Sequence, residues 1–146
     1  MYMKTIQNNR GSSNSKIGQH LFITMLVIQV LFASFIGFSM LFLPHLILVN
    51  GFNLSYNPSM QNLTIVIGMQ VLFSVVVAIL SIVWIRRQNI YGFYLGTFIG
   101  IYKVSFGVVS FLFTQTIDGL LVDSTRGILT LIFAYFAFKE LKKINR

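Results

Sequence analysis

The sequence predicts an all-α integral membrane protein, a four-helix antiparallel bundle with both termini on the cytoplasmic side. Three observations carry that expectation. Of 146 residues, 55% are hydrophobic and 10% charged, with a mean hydropathy of +0.78, outside the usual range of soluble domains. Fifteen Phe, six Tyr and one Trp exceed what a soluble core of this size absorbs, whereas lipid-facing helices take them readily. Four stretches, about 21–43, 63–85, 90–113 and 119–138, are apolar over the roughly 20 residues that a hydrocarbon core of roughly 30 Å requires.

Residues 1–19, rich in Ser, Asn and Gly with Lys4, Arg10 and Lys16, read as a disordered basic and polar cytoplasmic tail, and residues 20–146 as a single four-span domain. The first span runs into Pro44, which has no backbone N–H to donate and ends or kinks the helix, leaving "HLILVNGF" as a short interfacial piece. Residues 44–62, with Gly51 and Pro58, read as a longer polar loop before the second span. Between Ile85 and Ile90 there is room only for "RRQN", a tight turn between antiparallel neighbours.

Charge placement orients these spans. Eleven Lys and Arg face three acidic residues, for a net charge of +8. Apart from Lys103 and Arg126, the basic residues precede the first span, fill the second loop as Arg86 and Arg87, or close the chain as Lys139, Lys142, Lys143 and Arg146. The other two loops carry none. This is a positive-inside pattern, and it points to the cytoplasmic (inner) membrane. Arg86, Arg87, Lys139, Lys142 and Lys143 then read as contacts for anionic lipid headgroups, not as a nucleic-acid patch. Trp84, Tyr91 and Tyr94 flank the basic turn where an aromatic belt is expected.

The chemistry concentrates around one lysine, in "FIGIYKVSFG" at 98–107. At 100° per residue, Gly92, Gly96, Gly100, Lys103, Gly107 and Ser110 fall within an arc of roughly 80°. Small residues at this spacing let helices approach closely in a membrane, so the lysine faces protein. The other spans repeat the pattern with Gln29, Ala33, Gly37 and Met40; with Gln70, Ser74, Ala78 and Ser81; and with Asp123, Arg126, Gly127, Thr130, Ala134 and Ala137. A central Lys costs about 2.5–3.5 kcal/mol to insert, which about thirteen strong apolar residues in span three, at about 0.3–0.6 each, offset. Charge balance is the remaining requirement: Lys103 and Arg126 against Asp118 and Asp123. Asp123 is the leading partner for Lys103 and Asp118 the second, with Gln70 also within reach. The candidate intramembrane polar site is therefore Lys103, Asp123, Arg126, Asp118, Gln70 and Gln29. It admits a structural reading, in which an ion pair fixes helix register, and a functional one, in which it handles an ion, proton or small molecule.

Enzymatic and metal motifs are not seen. His20 and His45 lie at opposite ends of the first span, too far apart to ligate one haem. There is no cysteine, no HExxH, no GxSxG and no Walker loop, so neither a cofactor nor a metal site is expected. "NLS" at 53–55 and "NLT" at 62–64 fit glycosylation acceptors beside the outer loop.

The stretches "LFLPHLILVNGF", "VIGMQVLFSVVVAIL" and "TIDGLLVDSTRGIL", with a short basic turn between the second and third spans, resemble the DoxX-like group of small bacterial four-helix membrane proteins. The resemblance covers about residues 27–138. Members often carry an Arg-Gly pair entering the second helix, and here Ile67 precedes Gly68. The resemblance implies a four-span fold and, through the group's namesake, a link to quinone-coupled redox subunits. The expected function is a non-catalytic accessory or structural component of the membrane, alone, as a homo-oligomer or with a membrane-protein partner. The alternatives are small-molecule, ion or proton binding or transport through this polar site, taken to lie in the outer half of the bundle, and a quinone-linked redox subunit.

Overall fold

A computed structural model of the chain describes residues 17–51, 57–114 and 117–144. It is all-helical: α1 (Ile17–Phe42), α2 (Pro44–Leu46) running into one π-helical turn (Ile47–Gly51), α3 (Pro58–Arg86), α4 (Ile90–Thr114) and α5 (Ile117–Ile144). Four of these, α1, α3, α4 and α5, are long and apolar enough to cross a membrane. Residues 1–16 of the expected tail and Asn53 of the first glycosylation triplet lie outside the described residues. Ile17, Gly18 and Gln19, placed by sequence in the tail, are the first residues of α1.

Local chemistry sets the helix ends. The break after Phe42 falls at Leu43, whose ψ of 46° leaves the helical range one residue before Pro44, as expected where a following proline disfavours the helical conformation. α3 starts at Pro58, five residues before the apolar window, because Pro58 occupies its first turn and the Asn57 side chain accepts a hydrogen bond from the Ser59 N–H at 2.9 Å. Asn62, of the second triplet, is thus helical.

The α3–α4 turn closes by a Schellman arrangement. The Asn89 N–H donates to the Trp84 carbonyl and the Gln88 N–H to the Ile85 carbonyl, both at 2.9 Å. Gln88 takes the left-handed conformation, with φ of 56°, that glycine usually occupies there. Asn89 then caps α4 by accepting the Tyr91 N–H at 3.0 Å.

Among the long helices, α1 packs on α3 and α5, and α4 packs on α3 and α5. The start of α1 meets the ends of α3 and α5, since Gln19 reaches the Ile85 carbonyl and Gly18 the Glu140 carboxylate. The exposed basic residues Arg86, Arg87 and Lys139 therefore gather at one end. The main apolar core lies toward that end and joins Phe22, Leu26, Ala78, Ile85, Phe93, Ile99, Ala134 and Ala137. Phe22 and Phe93 stack there at 6.1 Å. A smaller cluster of Ala33, Val71 and Val75 fills the α1–α3 seam further along.

Candidate intramembrane polar site

Close approach of α4 and α5 builds the site. A Cβ added at Gly127 would lie 2.8 Å from the Gly100 carbonyl and the Val104 nitrogen, and one at Gly107 would lie 2.6 Å from Ser124 Oγ. Only glycine permits these contacts. With the two backbones this near, Lys103, between Gly100 and Gly107, reaches across to α5. Its Nζ lies 3.7 Å from Asp123 Oδ1, in a residue 7% exposed. The Phe106 ring centroid is 5.8 Å from the same ammonium, an electrostatic contact with the π-face.

A second layer ties α5 to α1. Gln29, 3% exposed, donates from Nε2 to Thr130 Oγ1, and that hydroxyl donates to the Arg126 carbonyl at 2.8 Å. The Arg126 guanidinium lies over the Phe32 ring, 4.2 Å from its centroid. Gln29 Oε1, Ser124 Oγ and Tyr102 Oη are enclosed without a hydrogen-bond partner among the described residues. Asp123 is six residues into α5, about 9 Å of helical rise from its start, so these groups lie away from the basic end.

The structure thus brings together Lys103, Asp123, Arg126 and Gln29. It does not bring Gln70 to them. Gln70 is exposed on α3 and opens into a groove between α3 and α4 with Phe73, Phe98 and Tyr102. The buried face of α3 is instead Thr64, Gly68, Val71, Val75, Ala78, Ser81 and Ile85. The Asp118 side chain lies outside the described residues. Gly92 and Gly96 serve the other seam of α4: a Cβ at Gly92 would meet the Ile85 nitrogen at 2.6 Å, and one at Gly96 would meet Phe22 and Ser81. Ser81 Oγ donates to the Gly92 carbonyl at 2.7 Å.

Glu140 is the residue that sequence reasoning passed over. Its carboxylate accepts the N–H groups of Gly18 at 2.9 Å and Gln19 at 3.1 Å, joining the first turn of α1 to the last turns of α5. The signal was available: α1 has no acidic residue in its first turn, and Glu140 is the lone acid in the basic closing segment. Helix N-termini present unpaired N–H groups and favour negative charge.

Among the described residues, no group of three His, Cys, Asp or Glu side chains could hold a metal ion. What the arrangement offers is one cation–carboxylate pair, a second cation on an aromatic face and an amide–hydroxyl link, inside four helices long enough to span a bilayer. These features define a multi-pass integral membrane protein. Compared with known proteins, the chain matches no family model, no curated protein and no solved structure.

Proposed function

We propose that the protein is a non-catalytic structural or accessory component of the cytoplasmic membrane, an antiparallel four-helix bundle with both termini inside, and that its intramembrane charges serve to lock helix register. The carrying observation is the Lys103–Asp123 pair seated between the Gly100–Gly127 and Gly107–Ser124 contacts. A charge that is matched across a glycine seam couples two helices at one register, because sliding by a turn separates the charges and drives side chains into backbone. The gathering of Arg86, Arg87 and Lys139 at the end where α1 starts supports the orientation, with those residues and the α5 terminus meeting anionic headgroups. The break at Leu43 and the short basic turn support the DoxX-like resemblance as a proposal.

Two experiments test the reading. Cysteines introduced as Ser55→Cys and Ile144→Cys should be labelled by an impermeant reagent from outside and inside respectively; labelling of both from one side refutes the topology. Phosphate, sulfate and small carboxylates should leave the melting temperature of the purified protein unchanged. The second reading, a small-anion site, is favoured by one observation: Arg126 has no carboxylate at ion-pair distance among the described residues, its guanidinium lying instead over the Phe32 ring. Anion-dependent stabilisation that Lys103→Met abolishes would replace the structural reading with this one.

A further inference from the structure

Gln70 is where the surface of α3 departs from what lipid can satisfy. A hydrocarbon core of about 30 Å covers about 20 helical residues. Since α3 runs Pro58–Arg86, every placement of such a window includes residue 70. The side chain is exposed, and its amide bonds to no other described residue. The contrast with α1 is direct: Thr24 and Ser39 turn their hydroxyls back onto the carbonyls of His20 and Phe35. The Gln70 amide instead faces a groove of about 440 Å³ whose walls include Met69, Phe73, Phe98 and Tyr102.

Acyl chains have neither donors nor acceptors, so an amide at this depth stays unsatisfied while only lipid covers it. A second copy of the chain supplies what lipid lacks. A carboxamide both donates and accepts, and a two-fold contact sets each patch against itself. Gln70 opposed to Gln70 therefore forms two reciprocal hydrogen bonds. Shape follows the same logic: Phe73, 70% exposed, stands on the wall of the groove, so one face carries both a protruding ring and the hollow that receives it.

We infer that the α3–α4 face is the interface of a two-fold homodimer within the membrane, with the Gln70 amides at its centre. The inference rests on the proposed four-span reading and adds to it a partner and a contact surface. The chain has no cysteine, so single-cysteine variants report cleanly. In liposomes, Phe73→Cys should cross-link to a dimer under mild oxidation, whereas Phe35→Cys, at least as exposed on α1, should not. Gln70→Leu should raise the dimer dissociation constant about tenfold, the expected effect of losing two interhelical hydrogen bonds, as read by single-molecule photobleaching across protein-to-lipid ratios. Gln70→Asn, which keeps the amide, should retain most of the affinity.

A wild type that stays monomeric at every ratio overturns the inference. So does cross-linking at residue 73 no greater than at residue 35, or a Gln70→Leu protein with wild-type affinity, or a monomer whose groove holds a lipid or an unrelated protein. The four-span reading fails by a different result: the chain would leave the membrane fraction in an alkaline wash, whereas failure of the dimer alone leaves a membrane-retained monomer.

Discussion

Replacing Lys103 by Met keeps the length and most of the volume of the side chain and removes its charge. Asp123, with a side chain 19% exposed, is then left facing the glycine seam without its cation. Breaking a fully buried pair costs about 3–5 kcal/mol. The Arg126 charge one turn along the same helix places this case at the low end, about 3 kcal/mol. Asp123→Leu should cost a similar amount by stranding the ammonium. The double variant strands neither, and exchanging a buried pair for apolar groups of similar volume is close to neutral, so it should fall within about 1 kcal/mol of wild type. At roughly 2–4 °C per kcal/mol for a chain of this size, each single variant should melt about 6–12 °C below wild type in nanodiscs, and the double within about 4 °C. Circular dichroism and Trp84 fluorescence supply independent probes. Additive losses in the cycle would show that the two side chains do not interact energetically, and a register lock made by this pair would be refuted.

Gly127→Ala puts a methyl against backbone of α4 that cannot rotate away; a loss of about 3 kcal/mol is expected from overpacking, measured by thermal melts, whereas Ala at the neighbouring exposed Ile128 should cost far less. Glu140→Ala removes the acceptor of two α1 N–H groups and should cost about 1–2 kcal/mol, with faster hydrogen exchange confined to the start of α1; Glu140→Gln should recover part of it. Gln88→Gly relieves a left-handed residue in the α3–α4 turn and should stabilise by about 1 kcal/mol, read as a rise in melting temperature; a fall would show that the weak contact from Gln88 to Gln19 Oε1 at 3.4 Å matters more than the backbone.

Hydropathy and helical period are local properties, and whatever depends on them alone is legible in the amino-acid sequence. The four apolar stretches are helices because a bilayer leaves the backbone no other partner than itself. Breaks at Leu43 and at Arg87–Asn89 follow from Pro44 and from a turn too short to do anything but reverse the chain. That Gln29, Ala33, Gly37 and Met40 share a face is arithmetic on a period of 3.6.

The rotation of each helix about its own axis is not local, and Gln70 shows why. It shares an arc with Ser74, Ala78 and Ser81, but the buried arc of α3 is centred roughly 100° away, because α3 packs on α1 and α4 at once and the Gly37–Gly68 crossing sets its facing. Glu140 and the first turn of α1 are more than 120 residues apart, so no window of sequence contains both. The distance from Lys103 to Asp123 likewise depends on how far the Gly100–Gly127 contact lets two backbones approach. Sequence determined which side chains ride together on each helix; packing alone decided which helix each group meets, since that is settled by the contacts of all four helices together.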